Sequence, residues 1–214
     1  MSEKNKKLLY EILNSTSHGI GVILGIIFLI MMIFKFGGKI SNYLFAGFII
    51  YGACFIIMFL SSTLYHAIQA PKAKKILRVF DHSSIFLFIA GSYTPIVLYI
   101  LEGRMQILFL AVIWAAALFG TIFKLVTYNK YDKYVKFSVF LYIVMGWMAI
   151  FLIKPIILKT GIAFMAFILI GGILYTAGTY FYKKKIPLYN HFVWHIFVLT
   201  AAVVQYIGIS GFLI

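Results

Sequence analysis

A chain of 214 residues that is 64% hydrophobic and only 11% charged is too apolar for an ordinary soluble domain, in which roughly half the residues are apolar. Nineteen Lys and Arg stand against five Asp and Glu, but in short runs between apolar stretches, so anionic headgroups and membrane topology explain them and nucleic acid does not. The single cysteine, Cys54, leaves neither a disulfide framework nor a thiolate metal site within the chain.

Met1 to Leu9 carries Lys4, Lys6 and Lys7 and could open a signal peptide, but the apolar stretch that follows lacks a small-residue cleavage site and is read as retained, with residues 1–15 as a cytoplasmic N-terminal segment. Seven uncharged stretches then occur, each near the ~20 residues a helix needs to cross hydrocarbon. They are Thr16 to Phe34, Tyr43 to Tyr65, Ser83 to Leu101, Met105 to Phe123, Phe137 to Ile153, Gly161 to Tyr182 and Phe192 to Ile214. Backbone groups in lipid must pair within the segment, so these stretches predict an all-α integral membrane protein of seven transmembrane helices. A barrel would show shorter alternating segments. Short connections predict antiparallel neighbours, and with no linker or repeat in view residues 1–214 read as one domain.

Lys and Arg set the orientation. Fourteen fall on the N-terminal side, in the runs around Lys4, Lys72 to Arg78, Lys124 to Lys136 and Lys183 to Lys185, and five fall on the other, Lys35, Lys39, Arg104, Lys154 and Lys159. That excess puts the N-terminus in the cytoplasm and the C-terminus outside. All five histidines then share the inner depth with Asp81: His18 opens the first span, His66 ends the second, His82 follows Asp81 into the third, and His191 and His195 open the seventh. Ionisable groups within spans are costly and mark function, although any one interfacial histidine has a bland explanation.

His191 and His195 lie four residues apart and stack on one helix face, a chelating geometry for a divalent ion. His66 supplies a third ligand, and Ser62, one turn before it, shares its face. Asp81 is a helix N-terminal carboxylate favoured by the dipole, paired with Arg78, or a general base beside the metal. His82, rotated by about 100° from Asp81, is at most an outer group. His18 is equally open, with Asn14 or Ser15 capping its helix. Gly91 to Pro95 predicts a local break in hydrogen bonding and a kink within the third helix, Gly19, Gly21 and Gly25 predict close approach by the first, and the many Tyr and Phe are expected mostly at the lipid and the interfaces.

Together, Asn14-Ser15-x-Ser17-His18-x-x-Gly21, Ser62-x3-His66, Phe80-Asp81-His82-Ser83-Ser84-Ile85 with Ala90-Gly91-Ser92-Tyr93-Thr94-Pro95, and His191-x3-His195 resemble the bacterial hemolysin III branch of the progestin and adipoQ receptor family. The resemblance covers the first three helices and the seventh. It implies a seven-helix fold with a cytoplasmic N-terminus and a zinc near the inner leaflet held by His66, His191 and His195, with Asp81 and Ser62 in the family's aspartate and serine positions. Adiponectin receptors and alkaline ceramidases, in the same relation, imply hydrolysis of ceramide-like amides, and the bacterial members carry a haemolysin label and a link to membrane lipid homeostasis.

Three imidazoles without a fourth protein ligand form the catalytic rather than the structural zinc pattern. The expected function is therefore a zinc-dependent hydrolase of a lipid amide or ester in the cell membrane, with Asp81 and Ser62 catalytic and the lipid entering between helices. The alternative is a pore-forming, cytolytic protein, or a lipid sensor in which zinc only ties helices together. Haem would want single histidines on facing helices and suits the pair less well.

Overall fold

Apolar runs of this length satisfy their backbone in only one open-ended way, as helices. The computed structural model describes residues 2–183 and 189–213 and is helical, with no strand among them. Its helices are α1 (Glu3–Phe36), α2 (Asn42–Ala67), α3 (Pro71–Ile100), α4 (Gly103–Val126), α5 (Tyr131–Trp147), α6 (Ile153–Lys183) and α7 (Asn190–Phe212). The Lys183 side chain, Lys184, Lys185 and Ile214, used above in the topology, lie outside the described residues.

Among the described residues six stretches are long and apolar enough to cross a bilayer, and one of these, Lys133–Tyr182, is 50 residues long. A straight helix of that length would reach about 75 Å, against a hydrocarbon core of about 30 Å. The chain instead turns at Gly161, whose φ of 83° is a conformation that favours glycine. The arms on either side lie together, with Trp147 Nε1 donating to Thr176 Oγ1 at 3.0 Å. On a straight helix those residues would stand about 44 Å apart.

Cross-helix bonds sort the helix ends. Ser15 Oγ donates to the Thr63 carbonyl at 3.3 Å, so α1 and α2 are antiparallel. His195 on α7 meets Asn14 and Ser17 on α1, while Lys35 Nζ donates to the Ser210 carbonyl at 2.6 Å. Helices α1 and α7 therefore run parallel, and the starts of α1, α3 and α7 share an end with the finish of α2. α3 is innermost: 72% of its most apolar stretch is buried, against 17% for α4.

Several boundaries differ from expectation. α1 begins far earlier than Thr16, with Ser2 Oγ as its N-cap accepting from Asn5 N at 3.3 Å, so neither Asn14 nor Ser15 is a cap. Asn14 Nδ2 instead donates to the Tyr10 carbonyl at 2.8 Å. α3 begins at Pro71, which places Asp81 three turns inside the helix, out of range of the terminal dipole proposed for it. Polar residues before the apolar stretch hid both starts, because a helix end that reaches beyond the lipid need not be apolar. α3 carries Pro95 in its interior, as a kinked rather than a terminated helix would. The α2 aromatics Phe48, Tyr51, Phe55 and Phe59 form interior core, exceptions to rings expected mostly at the lipid and the interfaces.

Gly21 and Gly25 set the α1 to α2 approach, because a Cβ at either would overlap the rings of Phe59 and Phe55 respectively. Gly19 does not, its nearest neighbour being the Thr63 methyl at 3.8 Å from a Cβ. Gly21→Ala is therefore expected to destabilise by about 1–3 kcal/mol, as overpacking does, and Gly19→Ala to leave stability unchanged. Thermal midpoints of the two purified variants in detergent check this, and equal midpoints would contradict the close approach.

Candidate metal centre

The shared helix ends bring polar side chains from α1, α2, α3 and α7 into an otherwise apolar bundle. His66, near the end of α2, and His195, one turn into α7, are each 2% exposed, and His191 is half-buried. One ligand atom from each of these three lies within 4.8 Å of the other two. Their ring centroids stand 4.6 to 5.2 Å apart. The sequence spacing brought His191 and His195 together on one helix, and the antiparallel run of α2 delivers His66 to them.

Hydrogen bonds determine which nitrogens face inward. His66 Nδ1 donates to Glu11 Oε2 at 2.8 Å, since an ionised carboxylate only accepts. His195 Nδ1 donates to the Asn14 carbonyl at 3.2 Å and lies 3.1 Å from Ser17 Oγ, which itself donates to that carbonyl at 2.9 Å. Both rings are thereby held as the Nδ1–H tautomer, with a lone pair on Nε2. His66 Nε2 is buried and without a hydrogen-bond partner, a state that costs about 1–3 kcal/mol if nothing fills it.

That unpartnered nitrogen is the test of fit for a metal. Neutral imidazoles with the second ring nitrogen tied to a carboxylate or backbone carbonyl are the common arrangement around zinc. Nitrogens about 2.1 Å from a tetrahedral ion stand about 3.4 Å apart, so ligand atoms that lie within 4.8 Å of one another need to draw inward by about 1 Å to share it. The residues fit a divalent ion.

A cavity of about 250 Å³ opens beside the cluster. Ser62, Asp81, His18, His191 and His195 line one end, and the remainder runs between apolar side chains such as Ile89, Ile96, Met165 and Leu169 as far as Gln205. Ser62 Oγ is buried, lies against the Asp81 carboxyl and does not bond back to its own helix, the bland role open to a membrane serine. The Asp81 side chain is 13% exposed and faces the same space. His82 lines the cavity as well, but its Nδ1 donates to the Arg78 carbonyl at 2.6 Å and stands 3.6 Å from Asp81 Oδ2, too far to bond.

Two participants escaped the sequence reading. Glu11, 8% exposed, was passed over as part of the charged N-terminal region. Its signal was periodic: Glu11, Asn14, His18, Gly21 and Gly25 recur every three or four residues and form the buried stripe of α1. His18 was noted without a role. Its ring stacks on His195 at 3.6 Å between centroids, and both its nitrogens are buried without partners beside the cavity.

Comparison with known proteins decides the family. The chain matches the family described as Haemolysin-III related over residues 6–206. The chain belongs to that family. A relative named Hemolysin-3 homolog from Bacillus subtilis (strain 168) is 39% identical over 92% of this chain and 91% of its own length. Hemolysin-3 from Bacillus cereus is 40% identical over 92% of this chain and 88% of its own. More distantly, the human Monocyte to macrophage differentiation factor is 31% identical over 77% of this chain and 69% of its own. No solved structure is a significant match. This haemolysin III-related chain is a multi-pass membrane protein, and the plasma membrane is its expected location.

The unpartnered nitrogens of His18 generate a test of their own. His18→Phe keeps a ring against His195 and removes two buried unsatisfied atoms, with the cavity alongside to take the added volume. The metal-free variant is expected to be as stable as the wild type or more so, by up to about 3 kcal/mol. A clear fall in its thermal midpoint would show that these nitrogens have partners.

Proposed function

We propose that this haemolysin III-related protein is a zinc-binding, intramembrane hydrolase of a lipid amide or ester. The observation that carries the reading is the buried, unpartnered Nε2 of His66, whose ring is held by Glu11 at ligand spacing from His191 and His195, two residues that line a largely apolar cavity. A single domain of seven spans, with the N-terminus and the histidine end in the cytoplasmic leaflet, accommodates this site. The reversal at Gly161 and the excess of Lys and Arg at the histidine end support that topology.

His66, His191 and His195 would hold the ion. Zinc bound by three imidazoles supplies a Lewis acid that polarises a carbonyl and acidifies water to a pKa of roughly 7. The chain's own groups do the remainder. The apolar cavity receives the acyl chain of a membrane lipid entering between helices, which leaves its carbonyl at the polar end. Asp81 takes the proton of the attacking water and returns it to the departing amine or alcohol. Ser62, whose hydroxyl lies beside the Asp81 carboxyl, donates a hydrogen bond to the oxygen on which negative charge develops.

Removing the paired ligands, with His191→Ala and His195→Ala combined, is expected to abolish zinc in purified protein by elemental analysis. Full occupancy in that variant would overturn the ligand assignment. Asp81→Asn is expected to keep its zinc while lowering fatty-acid release from a lipid panel by roughly 10²-fold or more.

The name Hemolysin-3 on the Bacillus cereus relative supports a second reading, in which the protein is cytolytic or senses lipid and zinc only joins α2 to α7. Zinc present at one per chain with no lipid cleaved by the wild type would favour that reading. An aqueous pore is poorly supported by a cavity whose lining beyond the histidine end is mostly apolar.

A further inference from the structure

We propose that Glu11 is the positioning residue of the metal centre, fixing the tautomer and place of His66 from a neighbouring helix. The inference rests on the zinc-binding reading above and adds a residue that the ligand pattern does not contain.

His66 occupies a weak place for a ligand. It is the penultimate residue of α2, and the last carbonyls of a helix have no partners within it. A ring of hydrogen bonds compensates. His66 Nδ1 donates to Glu11 Oε2 at 2.8 Å, and Lys74 Nζ donates to Glu11 Oε1 at 2.7 Å. Lys74 also donates to Gln69 Oε1 at 3.2 Å, and Gln69 Nε2 donates to the His66 carbonyl at 2.6 Å. The circuit returns to the residue it started from and holds both its ring and its backbone. It draws on α1, the connection from α2 to α3, and the first turn of α3, so the end of α2 cannot fray without breaking contacts to two other helices.

The electrostatic consequence follows from the same bonds. An anionic acceptor on Nδ1 makes the imidazole a stronger donor through Nε2. Lys74 balances the Glu11 charge, which lets the carboxylate remain ionised in a site where it is only 8% exposed. Without Glu11, His66 would be free to take the other tautomer, with Nε2–H directed at the position of the ion.

Zinc affinity of purified protein in detergent, measured by chelator competition, tests the assignment together with ¹⁵N spectra of the His66 ring in metal-free protein. Glu11→Ala is expected to weaken zinc binding roughly 10–100-fold, the usual cost of losing such a partner, and to convert the ring from the Nδ1–H form to a mixture. Glu11→Gln keeps an acceptor but no charge, so it is expected to retain the Nδ1–H form with a smaller loss of affinity. A well-folded Glu11→Ala with wild-type affinity, or an Nε2–H ring in the wild type, would overturn the proposal. If Glu11→Ala does not fold, unchanged zinc affinity in Glu11→Gln does so. A wild type that binds no zinc would instead sink the metal reading, and the ring tautomer in Glu11→Ala would then decide the role of Glu11 by itself.

Discussion

A polar atom buried among apolar helices costs free energy unless something bonds it, and at the histidine end of this bundle that demand organises the structure. Glu11 is buried, and it is bonded on both oxygens. Asn14, Ser17 and His195 are buried, and they are bonded to one another across α1 and α7. Supply stops short at this end at Asn14 Oδ1, at His66 Nε2, at Ser83 Oγ and at both nitrogens of His18. His66 belongs to the one cluster with ligand spacing among the described residues, and Ser62 and His18 line the cavity beside it. A bound ion and a polar lipid group would meet the shortfall.

Helix packing makes that network possible. Gly21 and Gly25 let α1 lie directly on the Phe55 and Phe59 rings of α2. That approach brings Glu11, three turns earlier on the same stripe, within bonding distance of His66. The parallel run of α1 and α7 then places Asn14 and Ser17 behind His195, so two of the three proposed ligands are braced from a single helix that contributes no ligand. The remaining helices serve the cavity. α3 offers Asp81 and an apolar wall, and the pair of arms joined at Gly161 encloses the far side.

The two carboxylates near the site have different surroundings, and the difference separates their roles. Glu11 is consumed by His66 and Lys74, which suits orientation and leaves it unfit to exchange protons during turnover. Asp81 faces the cavity from inside α3, a setting that suits proton transfer to a bound molecule. Charge alone would not distinguish them, since both are acids at the same end of the bundle.

Apolar stretch lengths and the basic runs between them were enough to read a helical membrane protein from the chain itself, because lipid permits few other backbones. The i, i+4 spacing of His191 and His195 was equally legible, since helical periodicity dictates it locally. The depth of His66 followed from counting spans. What lay beyond reach depended on contacts between helices. The early starts of α1 and α3 extend past the lipid and leave no apolar trace, which misplaced Asp81 at a helix end. Glu11 looked like one more charge in a solvated leader until α1 was laid against α2. Whether a polar side chain is spent on a neighbour or left open for a ligand is settled by the distances between helices, and those arise only when the bundle closes.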